Sequence, residues 1–256
     1  MIAALYVQAP GVYGTFPDVD VWPEARDARR YGGPHPVVAH PPCGPWGFAA
    51  RRWRRVAVGE DGGCFEAAIA AVTRWGGVIE HPAGSSAWDR YDLARPGGWG
   101  WTPARAPDGS PVTSAGGRHW ACAVDQGHYG HLAPKRTWLY LVTRTWEESS
   151  PPALEWGPSG ATGRVLTMPS VLDREATPVP FAELLLELVR GRVPRRPSHG
   201  MELASPVTGP RCGLPGCPNV VEQRRKGPRR IFCGEACRQR ASRQRRAGGT
   251  IEGEAS

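Results

Sequence analysis

A thiol, a carboxylate and a pair of cations stand beside apolar runs of this chain, where folding into a sheet would gather them. Val37-Val38-Ala39 leads into His40-Pro41-Pro42-Cys43-Gly44-Pro45-Trp46, so an extended segment stops in a turn that carries Cys43. Open α/β sheets place their chemistry beyond the carboxyl ends of strands, and a thiolate there can attack an electron-poor carbon. The other use of such a residue is a small, inert, buried thiol. Glu80 follows Val78-Ile79, 37 positions after Cys43, and offers either an acid or a loop-capping carboxylate. Lys135 and Arg136 precede the apolar Trp138-Leu139-Tyr140 run, as a cation for developing charge or as a solvated pair. His40 and His81 flank the thiol and the carboxylate as candidate hydrogen-bond partners. A separate cluster, Cys212-x4-Cys217-x15-Cys233-x3-Cys237, offers four thiolates in two close pairs, the donor set of tetrahedral zinc.

The elements that must position these groups are short. The sequence predicts a first strand over 3–7, a short polar helix over 23–31 and a buried strand over 37–39. It predicts a helix over 64–75 ended by Gly76-Gly77, a strand over 78–80 and another over 137–142. Strands alternating with helices through glycine junctions predict a mostly parallel α/β sheet with helices on both faces, a Rossmann-like arrangement. Residues 83–117 read as a long loop rich in Gly, Pro and Trp, residues 120–124 as a short element, and 181–189 as an apolar helix. Trp88, Trp99 and Trp101 could stack on a base or pack the loop. The expected organisation is a catalytic body over 1–191, a linker over 192–210, a four-cysteine zinc module with a basic helix over 211–247 and a disordered tail over 248–256.

Charge divides along the same boundary. Between Arg211 and Arg246 lie eleven Arg or Lys residues against Glu222 and Glu235, a net of +9 within a chain of 256 residues whose total is +8. The basic excess therefore belongs to the tail, which predicts contact with a polyanion there, DNA in particular, and not over the body. No apolar run is long enough to span a bilayer, and Met1-Ile2-Ala3-Ala4-Leu5 lacks the basic flank of a signal peptide. A cytoplasmic protein without a membrane partner is the expectation.

Taken in order, these segments resemble the cytosine-C5 DNA methyltransferases over roughly residues 1 to 145. Pro41-Pro42-Cys43 resembles that family's nucleophile loop, Val78-Ile79-Glu80-His81-Pro82 its strand ending in Glu-Asn-Val, and Tyr129-Gly130 followed by Lys135 its Tyr-Gly-x-x-Gln-x-Arg-x-Arg segment. Asp18-Val19-Asp20-Val21-Trp22 is similar to the acidic turn that holds the cofactor ribose. The resemblance implies Cys43 as nucleophile at C6 of a flipped cytosine, Glu80 as the acid at N3, and Lys135 or Arg136 near O2. It also implies S-adenosylmethionine as donor, with Gly11, Gly14, Asp20 and Trp22 as its contacts. The segment Phe232-Cys233-Gly234-Glu235-Ala236-Cys237-Arg238 resembles small treble-clef zinc modules.

The chain departs from that pattern at several points. Gln8-Ala9-Pro10-Gly11-Val12-Tyr13-Gly14 keeps glycines without the family's Phe-x-Gly-x-Gly spacing, and His81 stands where Asn is usual. Ala133 and Thr137 stand where Gln and the second Arg are expected, and too few residues lie between the strand at 137–142 and the helix at 181 for a target-recognition domain. Three functions are therefore expected in order: a DNA cytosine-C5 methyltransferase, an enzyme moving another one-carbon unit to a pyrimidine without S-adenosylmethionine, and a non-catalytic zinc-dependent DNA-binding protein. The small size would suit a phage or mobile genetic element.

Overall fold

The computed structural model describes residues 1–47, 57–97, 100–146, 149–154, 159, 161–165, 168 and 171–192, with Ile231 and Ala241 as isolated positions. The chain divides into two units, Met1–Pro197 and Ser198–Ser256. The four tail cysteines, the basic helix, Trp99 and nearly all of the expected linker lie outside the described residues. No described helix is long and apolar enough to cross a membrane.

The first unit is a mixed α/β structure built on one eight-stranded sheet. Strands β1 (Ile2–Leu5), β2 (Val19–Trp22), β3 (Val37–Ala39) and β4 (Gly77–Pro82) form its parallel half, in the order β2-β1-β3-β4. The expectation of a mostly parallel sheet fails beyond β4. There β8 (Arg136–Thr143) runs antiparallel to β4, and β7 (Gly117–Asp125) runs antiparallel to β8. The physical reason is connection length, because the ten residues from Gln126 to Lys135 suffice for a hairpin and not for a crossover. The short strands β5 (Thr102–Pro103) and β6 (Thr113–Ser114) add antiparallel pairs on β7, so the expected loop over 83–117 contains structure of its own.

Helices cover both faces. Helix α1 (Cys64–Trp75) lays Phe65, Ala68, Ala71 and Val72 against Ala3, Leu5, Val37, Ala39, Ile79 and Val142. The short α2 (Ala87–Arg90) sends Trp88 into the same core, where it is 1% exposed and packs on Phe65 and Trp138. That burial decides its use as packing. After α3 (Val171–Glu175), α4 (Val179–Val189) covers the other face, with Phe181, Leu185 and Leu188 against Ile2, Ala4, Val38, Val78, Leu139 and Leu141. Successive strand residues alternate between these two cores, as the period of two requires.

The expected helix over 23–31 is replaced by two 3-10 turns, Glu24–Arg26 and Ala28–Arg30. Asp27 interrupts them at φ 48°, its side chain accepting from the Arg29 amide at 3.3 Å; this local bond competes with helix continuation. The Gly76-Gly77 stop holds for a definite reason. Gly77 sits at φ 134°, and a Cβ there would overlap the Val37 carbonyl in the neighbouring strand. Gly77→Ala is expected to destabilise the first unit by about 3 kcal/mol, read as a lower midpoint in chemical denaturation.

Candidate active site

The chain passes from β1 to β2 on one side and then to β3 on the other, so the strand order reverses between β1 and β3. A crevice at the carboxyl ends of those strands is where such sheets bind ligands. Three segments of the chain meet at that edge. The turn after β1 brings Tyr13, the residues after β3 bring His40 and Cys43, and β4 brings Glu80.

Parity places the side chains. Val38 and Val78 face the α4 core, so His40 and Glu80, each two positions further on, face the same way. Val124 and Leu139 also face that core, which directs Gln126 and Thr137 to it. These residues form one hydrogen-bonded chain. The Tyr13 hydroxyl lies 2.7 Å from His40 Nε2, and His40 Nδ1 lies 2.8 Å from Glu80 Oε2. Gln126 Nε2 donates to Glu80 Oε1 at 2.9 Å and to Thr137 Oγ1 at 2.9 Å, and the Thr137 hydroxyl donates to the Lys135 carbonyl at 3.2 Å. The Gln126 side-chain carbonyl has no partner among the described residues.

Glu80 is buried and ionised. Burial would push its carboxyl up, but the hydrogen bond and charge of His40, then the charge of Lys135, outweigh it and bring the group down to about 2. Glu80 is therefore an acceptor at neutral pH and does not carry the proton of a resting general acid. His81 is pushed the other way, to about 4, chiefly by burial; neutral and 1% exposed, it packs between Phe65 and Trp88.

Cys43 opens the 3-10 turn Gly44–Trp46, and its carbonyl accepts from the Trp46 amide at 3.1 Å. Trp46 anchors this turn. It is buried, its indole donates to Asp61 at 2.9 Å, and its carbonyl accepts from both the amide and the hydroxyl of Ser86. Cys43 as a residue is exposed, yet the desolvation that its Sγ meets, and then the Glu80 charge, raise the thiol above its ordinary range. Lys135 pulls it back. Asp125 sets that lysine's backbone, its carboxylate accepting from the amides of Gly127 and Lys135 at 2.9 Å each. The Lys135 ammonium reaches the Glu175 and Ala176 carbonyls at 3.5 and 3.4 Å.

Cys43, Glu80 and Lys135 thus act on one another electrostatically. Arg136 is exposed at the start of β8 and is not among the largest charges acting on Cys43 or Glu80. Tyr13 and Gln126 were not legible as site residues from motif spacing, but Gln126 lies two positions past Val124, on the face that parity assigns to the site. Of the remaining thiols, Cys122 is buried in the α4 core and pushed up to about 12 by burial, an inert core residue. No group of three His, Cys, Asp or Glu able to hold a metal occurs among the described residues. The cavity lined by Arg74, Trp75, Arg144 and Thr145 opens at the amino ends of β3 and β4, away from this site.

Of the residues expected to contact an adenosyl group, Asp20 and Trp22 are engaged by neighbouring side chains. Asp20 accepts from Arg26 at 2.6 Å and from the Trp22 indole at 2.7 Å, and the Arg26 guanidinium lies 3.9 Å over the Trp22 ring. The edge of Tyr31 packs against the same indole, with ring centroids 5.2 Å apart. A Cβ at Gly11 would come within 2.5 Å of the Gln8 carbonyl, so that glycine accommodates the chain's own turn; only Gly14 faces open space. Asp20 and the Trp22 ring would receive S-adenosylmethionine only by exchanging or sharing these contacts. Compared with known proteins, the chain matches no family model and no curated relative.

Charge coupling gives a direct test by alkylation followed at the Cys43 peptide by mass spectrometry. Glu80→Gln removes a charge that raises the thiol's pKa, so its reaction midpoint is expected at lower pH than in the wild type. Lys135→Met is expected to move it higher. Identical profiles in all three proteins would refute the coupling.

Proposed function

We propose that the protein is a DNA cytosine-C5 modifying enzyme whose nucleophile is Cys43. The observation that carries this reading is that the ends of β3 and β4 and the start of β8 bring Cys43, a doubly hydrogen-bonded Glu80 and Lys135 to one edge of the sheet. The Cys43 thiolate adds to C6 of a base drawn out of the stack, and the electron pair of the C5–C6 double bond becomes available at C5. The Glu80 carboxylate accepts from the 4-amino group and favours a proton at N3, which withdraws electrons from C6. Docking of such a positively charged ring offsets the Glu80 charge, so the thiol ionises more readily when the base arrives. Lys135 supplies positive charge beside the thiolate. C5 then takes the incoming carbon as that carbon's bond to its donor breaks and the donor departs with the electron pair; the C5 hydrogen leaves as a proton, the thiolate is expelled from C6, and N3 gives up its proton.

In the simplest form of this reading the carbon comes from S-adenosylmethionine. The Arg26 contacts with Asp20 and Trp22 favour the second form, in which another one-carbon unit is transferred. The basic tail serves as the DNA-holding part, with Cys212, Cys217, Cys233 and Cys237 binding zinc as a structural metal. A non-catalytic DNA-binding protein is the alternative that the following experiment excludes.

Addition of Cys43 to C6 exposes C5 to solvent protons even without a carbon donor, so tritium at cytosine C5 in DNA is expected to wash out. Cys43→Ala abolishes that release; release that persists in the variant, or none in the wild type, would sink the enzyme reading. Calorimetric titration with S-adenosylmethionine separates the two donors, since no heat of binding rules out the simple methyltransferase. For the tail, about one zinc per chain is expected by elemental analysis, and none in a chain ending at residue 204. Zinc retained by the shortened chain would contradict the assignment.

A further inference from the structure

We propose that His40 and Gln126 are positioning residues that hold Glu80 as a carboxylate at a fixed orientation, and that this fixed charge is what makes the site accept cytosine and turn away uracil and thymine. The proposal rests on the cytosine reading above and adds the residues that enforce it.

The geometry assigns the proton positions. A carboxylate only accepts, so the 2.8 Å contact at Oε2 requires a proton on His40 Nδ1, while the Tyr13 hydroxyl at 2.7 Å from Nε2 fixes the other end of the ring. On the other oxygen, Gln126 spends both amide hydrogens, one on Oε1 and one on Thr137, and leaves its own carbonyl unpaired in a fully buried position. Turning the amide would set that carbonyl against the carboxylate. The arrangement therefore accepts an orphaned oxygen in order to present two donors, which is most favourable when Glu80 is charged and both of its oxygens accept.

Charge decides which base fits. An ionised carboxylate takes two donors, such as the N3–H and N4–H of a protonated cytosine, and is repelled by the O4 of uracil or thymine. A neutral carboxyl, with one donor and one acceptor, pairs equally with cytosine or uracil. Each Glu80 oxygen keeps a free lone-pair direction after its bond to His40 or Gln126, so the base can still be received. The charged and titratable groups that interact with Glu80 are His40, Lys135, Cys43 and Tyr13, with His81 behind it on the opposite face of the strand. Of these, His40 is the largest opponent of burial, so without it desolvation is expected to move Glu80 toward the neutral form.

The test compares release of C5 tritium from DNA carrying labelled deoxycytidine or deoxyuridine, together with the infrared carbonyl stretch of a protonated carboxyl. The wild type should favour deoxycytidine by the same ratio in mildly acid and mildly alkaline buffer, and lack the protonated band. In His40→Phe and in Gln126→Leu the ratio should fall by at least about tenfold in acid buffer and recover in alkali. The infrared band should appear in acid and vanish when Glu80→Gln is added. His40→Asn, which sets an amide nitrogen where Nδ1 sits, should keep the wild-type ratio; a purely structural role for the ring would not be rescued in this way. The two variants lie in different elements, so loss of fold in one leaves the other to decide. An unchanged ratio with release retained, or no protonated band in either variant, would overturn the proposal. Absence of release from both bases in the wild type would instead defeat the function proposed above, and the infrared arm would still decide whether His40 and Gln126 hold the charge.

Discussion

The buried charge of Glu80 is the constraint to which the surrounding structure answers. An ionised carboxylate away from water is costly unless hydrogen-bonded, and here the donors come from the segment after β3 and the turn after β7. Each donor is itself held, His40 by Tyr13 and Gln126 by Thr137. Four segments remote in sequence therefore have to arrive together before the charge is tolerated, so the site and the sheet edge form as one unit. The same charge reaches Cys43 and works against its ionisation, while Lys135 works for it.

This architecture separates two tasks that meet at the crevice. The α1 core fixes the thiol's turn through Trp46, Asp61 and the start of α1, where the Asp61 carboxylate also accepts from the Phe65 amide at 2.8 Å. The α4 core fixes the carboxylate network. Glu80 and His81 are adjacent in the chain and face opposite cores, so the neighbouring histidine serves packing while the distant His40 serves the charge. Adjacency along a strand predicts opposite faces, and a step of two predicts a shared one.

Much of the parallel half was legible because it depends on local patterns. The Val37–Ala39 strand, the helix from Cys64 to Trp75 and its glycine stop follow from apolar runs and breakers. The reversed strand was not legible as reversed, because an apolar run such as Thr137–Val142 reads alike in either direction and only the short link before it decides. The segment at 23–31 misled because its helical composition is overridden by one aspartate that bonds its own backbone. Within the site, Cys43 and Glu80 stood out by position. Tyr13 was hidden in a turn, since nothing local indicates that its hydroxyl meets a histidine 27 residues later. Gln126 was obscured because the resemblance directs attention to Ala133 as the place for a glutamine. The four tail cysteines and their arginines rest on spacing and charge alone.

The pairing of β4 with β8 has a consequence for where the chain tolerates changes in length. Glu80 lies opposite Leu139 and Pro82 opposite Thr137, and the same strand carries Thr137 toward Gln126. A shift of one residue in β8 would turn Thr137 to the opposite face and withdraw the support of the amide. Residues can thus be gained or lost in the exposed turn at 107–110 while the carboxylate stays in place. The ten positions from Gln126 to Lys135 act instead as a ruler, and a homologue that altered their number would have to rebuild the charge network from other residues.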